Sequence, residues 1–212
     1  MSVQVKSSYY HGGKYQSLER FISYYYQFDA VRKTPAKTIL FIGVGDGIVP
    51  DFLKKNPMYQ VTTMDFDKDL KPDVVGDIKA LPFQNKTFDL ICAFEILEHL
   101  PYKDSLIAIN ELARVAKENV IVSVPHRRTG FEFIIKFPFI RSLFKKDFLR
   151  LAIRFPVRFK GFAFSGQHYW EIDGRTTKLK DFRRDLSKKF EIQSEQTPVL
   201  DFYRRFFLMK VK

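Results

Sequence analysis

The sequence predicts an α/β fold, a mostly parallel sheet with helices on both faces and an antiparallel strand near its C-terminal end, and three observations predict it. Short apolar, β-rich runs alternate with stretches of helical periodicity. The first of these runs breaks directly into three glycines spaced two apart, Gly43, Gly45 and Gly47. The last two runs, FEIQSEQTP and FYRRFFLMKVK, flank a turn near Pro198 and read as an antiparallel hairpin closing the sheet edge.

Each element has its own signal. Leu18, Phe21, Ile22, Tyr25 and Phe28 recur at three- and four-residue spacing, which predicts an amphipathic helix over residues 17–31 that ends before Pro35. Strand-like runs follow at residues 38–42, 60–64, 88–94 and 119–124, and the stretch before the last of them, LIAINELARVA, has helical periodicity. No internal repeat and no low-complexity linker interrupts the pattern. We expect a single domain over residues 1–212, with a helical arm at 1–35 and an inserted lid at 127–170.

Composition excludes several classes of function. A chain of 212 residues with 45% apolar content suits one ordered domain, and no uninterrupted apolar run approaches the roughly 20 residues of a spanning helix. The N-terminus shows no basic segment followed by an apolar stretch and a cleavage site, so a cytoplasmic location is expected. The single cysteine, Cys92, sits in the apolar run DLICAF and reads as a core residue; it permits neither an internal disulfide nor a CxxC site. Four scattered histidines form no HExxH cluster, and no metal is expected. The formal charge of +12 calls for an acidic partner or surface.

That charge is concentrated. Residues 126–164 hold ten Arg or Lys against two acids, Glu132 and Asp147, together with ten phenylalanines. Within this segment Phe144, Phe148, Leu151 and Phe155 share one helical face, with Lys146, Arg150 and Arg154 opposite. The expectation is a basic, aromatic lid whose Phe face packs on the core or enters an anionic membrane surface. Nucleic-acid phosphate binding is less expected, because the Phe density exceeds what phosphate contacts need.

The glycines mark a ligand-binding turn between the first strand and first helix, where the backbone must approach a nucleotide closely. Asp65 lies 22 residues after Gly43, at the end of the second strand, where a carboxylate can accept both ribose hydroxyls. The segment GDIKALPFQNKTFDLICAFEILEHL, residues 76–100, resembles the central signature of class I S-adenosylmethionine-dependent methyltransferases, in particular the type 11 small-molecule group. Gly76, Asp77, Ile78, Leu81, Pro82, Phe83, Phe88, Asp89, Leu97, Glu98, His99 and Leu100 carry the match.

The resemblance implies a Rossmann-like fold, S-adenosylmethionine as cofactor, and methyl transfer to a hydroxyl or amine of a small or lipid-linked acceptor. It implies a cofactor site made by Gly43, Val44, Gly45, Asp46, Asp65, Phe66, Asp77, Ile78, Phe94 and Glu95, with Asp77 receiving the adenine amino group and the Ile78 backbone facing the ring. In this family the first strand usually ends in an acid; here Phe41 stands there, and Asp46 is the substitute expected to hold the methionine end. Should the acceptor have to lose a proton, His126, His168 and Glu95 are the candidates, with His126 or His168 the expected base, while His99 reads as structural. The acceptor pocket is expected where Glu95, the residues after the fifth strand and the inserted segment through Trp170 converge, with Tyr9, Tyr10 and His11 closing it. Two rivals follow from the same features. Phe41 keeps open a non-catalytic cofactor-binding protein, and the charge keeps open an RNA methyltransferase, although AFEI stands where nucleic-acid amino methyltransferases carry a proline-rich motif.

Overall fold

The strand β1 (Thr38–Ile42) is buried over its last four residues, each 3% exposed or less, because it lies inside the sheet and is covered on both faces. That double burial is why it reads as a continuous apolar run and not as an alternation. A computed structural model of the protein describes residues 9–10, 15–156, 167–174 and 176–212. Further strands are β2 (Gln60–Asp65), β3 (Val74–Val75), β4 (Phe88–Phe94), β5 (Ala116–Pro125), β8 (Phe190–Gln196) and β9 (Arg204–Val211), and the sheet order is β3-β2-β1-β4-β5-β9-β8. The first five strands run parallel; β9 pairs antiparallel with both β5 and β8. The expected parallel sheet, its antiparallel C-terminal strand and the closing hairpin are all present.

The pleat divides the core in two. Leu40 and Ile42 face a layer shared with Ile109 and Leu112 of α3 (Tyr102–Val115) and with Phe182 and Leu186 of α5 (Leu179–Ser187). Ile39 and Phe41 face the opposite layer, formed with Tyr24 and Val31 of α1 (Leu18–Arg32) and Leu53 of α2 (Ile48–Lys54). Ser17 caps α1 through its side chain, which accepts from the Arg20 amide. The buried stripe of α1 differs from the one expected: Ser23, Tyr24, Gln27, Ala30 and Val31 are buried, while Leu18, Phe21 and Tyr25 are exposed. Polar ties turn the helix, since the Tyr24 hydroxyl donates to Asp46 and the Tyr26 hydroxyl accepts from the Val199 amide.

The lid is corrected more deeply. Where a helix was expected across residues 144–155, the chain forms a separate two-stranded antiparallel sheet of β6 (Arg128–Ile135) and β7 (Leu149–Pro156), with the short α4 (Ile140–Phe144) between them. Phe131 pairs with Ile153 and Phe133 with Leu151, so the large apolar residues alternate onto one face. That face is open: Phe131 is 64% exposed, Phe133 53% and Leu151 59%. The basic residues expected to be solvated point the other way. Arg150 donates to the carbonyls of Thr197 and Pro198 (3.0 and 2.7 Å) and pairs with Glu132, and Arg154 donates to the Thr197 hydroxyl (2.7 Å). Those acceptors lie in the 197–200 turn, where Glu132 also accepts from the Leu200 amide, and they hold the polar face of the hairpin against the body. Phe144 on α4 is exposed, as is Lys146 after it. The lid positions at 157–166 lie outside the described residues. Among the described residues no helix is long and apolar enough to cross a membrane.

Candidate active site

At the carboxyl end of β1 the chain must turn hard. Gly43 has φ +86° and donates its amide to the Met64 carbonyl at the end of β2 (2.8 Å); a Cβ there would lie 2.3 Å from the Ile96 side chain. Only glycine meets both demands. Asp65 then straps the turn to β2, one carboxylate oxygen accepting from the Val44 amide (2.9 Å) and the other from the Asp67 amide (3.0 Å). Burial pushes the Asp65 carboxyl up against the pull of those backbone donors.

These residues border a cavity of about 300 Å³. Gly43, Val44, Gly45, Asp46, Asp65, Phe66, Ile78, Phe94 and Glu95 all line it. Asp77 does not: its carboxylate accepts from the Lys79 amide (2.9 Å) and lies outside the cavity wall. Phe41 lines the wall where the family's acid would stand, its ring 5.6 Å from that of Phe94. Asp46 faces the same space, holding the Tyr24 hydroxyl and the Ile48 amide. A tyrosine cluster from the N-terminal arm covers the cavity. Tyr9, Tyr10 and Tyr15 meet edge to face at 5.1–6.0 Å, the Arg20 guanidinium sits 4.2 Å over the Tyr15 ring, and burial pushes the Tyr10 hydroxyl up to about 12. His11, the third residue expected at this closure, lies outside the described residues.

A second group of polar residues lines the cavity beyond β4. Glu95 occupies the left-handed region at φ +54°, an unusual conformation for a residue with a side chain. Ser123 donates to its carboxylate at 2.7 Å, and the Arg204 guanidinium is 3.8 Å away, itself paired with Asp201. The short 3-10 turn Leu97–His99 follows. His99 lines the cavity with its Nδ1 bonded to the Gln167 carbonyl (2.9 Å), and the His168 ring stands 4.9 Å from it. His168 Nδ1 is 3.2 Å from the Glu171 carboxylate, which also accepts from the Tyr203 hydroxyl (2.7 Å). Burial, then the neighbouring His168, lowers the pKa of His99 to about 4, so its ring is neutral at pH 7. Glu98 is wholly buried, and desolvation followed by repulsion from Glu95 holds its carboxyl well above the ordinary range.

The two expected bases therefore part company. His168 faces the cavity, whereas His126 is 2% exposed and lies outside its wall. Arg205 donates to its Nδ1 (2.8 Å), and its Nε2 donates to Asp173 (2.9 Å). Desolvation lowers its pKa to about 4. With both ring nitrogens engaged away from the cavity, His126 holds β5 to the 172–177 segment and is not placed to take a proton from an acceptor. Trp170 is likewise a core residue, 2% exposed, its indole donating to Ser105 and packed against Tyr102 and Phe182. His99, expected to be structural, does bond the Gln167 carbonyl and also lines the wall. Tyr15, Arg20, Tyr24, Tyr203 and Arg204 also line the cavity without having been singled out, since nothing in their local sequence places α1 and the start of β9 beside the glycine turn.

Comparison with known proteins agrees with this geometry. A family profile described as a methyltransferase domain matches residues 40–124. No curated protein matches the chain. Among solved structures, the PH0226 protein of Pyrococcus horikoshii OT3 is 16% identical with a TM-score of 0.59, covering 96% of this chain and 93% of its own. An S-adenosylmethionine-dependent methyltransferase of Clostridium acetobutylicum ATCC 824 is 13% identical with a TM-score of 0.57, covering 92% of each chain. The magnesium protoporphyrin IX methyltransferase of Synechocystis PCC 6803, crystallised with S-adenosylhomocysteine, is 15% identical with a TM-score of 0.54, covering 91% of this chain and 83% of its own. The matched segment runs from β1 through β5 and so contains the glycine turn, Asp65 and the turn after β4. Over residues 40–124 the chain matches a methyltransferase domain, and over nearly its whole length it shares the fold of solved S-adenosylmethionine-dependent methyltransferases.

Proposed function

We propose that this enzyme methylates a hydroxyl or amine of a small or lipid-linked acceptor. The observation that carries the reading is one cavity lined both by the glycine turn, Asp65 and Ile78 and by the titratable side chains Glu95, His99 and His168. S-adenosylmethionine supplies a methyl on a sulfonium, already activated for in-line displacement. Asp65, rigidly held by two backbone amides, accepts the ribose hydroxyls through its remaining lone pairs. Ile78 packs on the adenine, and Asp46 takes the methionine amino group in place of the acid that Phe41 displaces. The wall with Glu95, His99 and His168 is left for the acceptor, which the enclosing tyrosines shield from water so that alignment supplies much of the rate.

Calorimetry with S-adenosylhomocysteine tests the assignment. Asp65→Ala should weaken binding by about 1–3 kcal/mol, the scale of hydrogen bonds to a charged group; unchanged affinity overturns it.

The exposed apolar face of the β6–β7 hairpin supports a membrane-associated acceptor. Phe131, Phe133, Leu151, Ile153 and Phe155 present a broad apolar surface, and Lys136, Arg141, Lys145 and Lys146 are exposed on the connection between the strands. Apolar groups flanked by cations suit the interface of a bilayer rich in anionic lipid. We accordingly place the enzyme in the cytoplasm at such a surface, and vesicle binding checks this.

A further inference from the structure

The β6–β7 hairpin ends in a tip that the fold leaves uncovered. Phe139 is 79% exposed and Leu143 69%, and Phe144, half exposed, meets Phe137 edge to face at 6.3 Å, so the tip holds an aromatic contact of its own. Ile140 turns inward and seats α4. Monomeric proteins rarely present large apolar groups together at a surface without a partner for them.

The charges of the tip narrow the partner. Across residues 136–147 Lys136, Arg141, Lys145 and Lys146 are exposed against one acid, Asp147, whose 3.5 Å pair with Arg141 lies open to water and neutralises little. A second copy docked tip to tip would set cations against cations. Nucleic acid would meet the cations and leave the phenylalanines in water. Anionic lipid satisfies both, with phosphates for the cations and acyl chains for the aromatics. The tip is also fixed relative to the cavity. Glu132, Arg150 and Arg154 on the polar face of the hairpin bind the 197–200 turn, the Val199 amide of that turn donates to Tyr26 of α1, and the chain then enters the cavity wall at Tyr203 and Arg204. At the base of the hairpin Arg128 pairs with Asp173, and the His126 amide donates to the Tyr203 carbonyl.

We propose that this tip inserts into the head-group layer of an anionic bilayer, with Phe139, Leu143 and Phe144 entering the acyl region, and that the acceptor is a lipid of that bilayer, methylated at a hydroxyl or amine of its polar head. The docking stands on the hairpin alone; the acceptor rests on the methyl-transfer reading above. Because the hairpin is pinned to the turn that leads into Tyr203 and Arg204, docking holds the cavity wall beside the membrane, and a head group reaches the methyl while its chains stay in the bilayer. The head-group oxygen or nitrogen attacks the methyl carbon of the sulfonium, the carbon–sulfur bond breaks, and its electron pair goes to sulfur. The proton of the nucleophile is released to water. A water-soluble acceptor would draw no benefit from the tip, whose exposed apolar side chains favour aggregation.

Two experiments on the whole chain test this. In sedimentation with phosphatidylglycerol vesicles, Phe139→Asp combined with Leu143→Asp should lower the partition coefficient at least about 10-fold, and Lys145→Glu combined with Lys146→Glu should abolish the preference over phosphatidylcholine. Unchanged calorimetric affinity for S-adenosylhomocysteine shows that neither loss is one of folding. No vesicle binding by the parent, or binding unaltered in the first variant, overturns the docking; a retained preference in the second removes the cations from the contact. The other experiment incubates the parent and the first variant with methyl-tritiated S-adenosylmethionine and a whole-cell extract of the source organism. Label is expected in the chloroform-soluble fraction, at least about 5-fold less of it with the variant. Label confined to water-soluble or nucleic-acid fractions overturns the lipid acceptor, whereas no label in any fraction refutes the methyl-transfer reading and leaves the docking standing.

Discussion

The seven-stranded sheet and the β6–β7 hairpin are built from similar residues, large apolar side chains with basic residues among them, yet they bury opposite faces. In the sheet, Leu40, Ile91 and Val120 are 0% exposed and the charged groups lie at strand ends. In the hairpin the polar face, with Glu132, Arg150 and Arg154, is turned to the body and the phenylalanines are turned out. Apolar area buried in the sheet stabilises the fold at about 25 cal/mol per Å². The same area on the hairpin contributes nothing to folding and remains free to contribute to binding.

Substitutions can break or sharpen that contrast. The largest effect on stability is expected at the centre of the sheet, where Ile91→Ala should cost about 2–5 kcal/mol in urea denaturation; a loss under about 1 kcal/mol would mean the sheet is no better packed than the hairpin. Next comes the joint between the two regions. His126 has its pKa lowered to about 4, facing Asp173, Arg205 and Arg128. The unfolded chain takes up a proton near pH 6.5 that the folded chain refuses, so stability is full above that pH and falls as pH drops toward 4. The loss should reach about 2–3 kcal/mol for this group. His99 is lowered similarly and adds to it, while the raised Glu98 carboxyl works in the opposite direction, so His126→Gln should make the fall in stability between pH 6.5 and 4 shallower. An unchanged slope would show that His126 is not held neutral. The smallest effect on stability is expected on the hairpin, where Phe133→Ala should leave folding within about 0.5 kcal/mol of the parent. The same variant should bind vesicles of phosphatidylglycerol visibly less in sedimentation, with phosphatidylcholine vesicles bound weakly by both proteins. Equal sedimentation of parent and variant would remove the membrane role.

The sequence is legible where a single physical demand acts. β1, β4 and β5 are covered on both faces and show as the apolar runs ILFI, LICAF and VIV, and Gly43 is fixed by a positive φ and a close side chain. β3 has only two residues and leaves no pattern. The hairpin carries two periods at once: Phe144, Phe148, Leu151 and Phe155 satisfy a helix, while Leu149, Leu151, Ile153 and Phe155 satisfy a strand. Pairing with Phe131 and Phe133 decides for the strand, and local spacing contains no such information. The cavity divides in the same way. Its glycine end follows from one turn, but His99 meets His168 only through contacts 69 positions apart in the chain, and the arm residues Tyr15, Arg20 and Tyr24 reach it from a separate helix. His126 misleads for the converse reason. Following β5 it stands at the expected sheet edge, and its ring turns toward Arg205 and Asp173.

The placement of β9 between β5 and β8 bears on how the chain is made. Strands β1, β2, β4 and β5 pair parallel with one another, so that half of the sheet can associate as synthesis proceeds from the N-terminus. β8 emerges before β9 yet is hydrogen-bonded to it and not to β5. Until residue 204 and those after it leave the ribosome, β5 presents an unpaired edge and β8 has nothing to pair with. The late nascent chain, with the hairpin's phenylalanines already made, is therefore the stage at which an open sheet edge and exposed apolar side chains coincide.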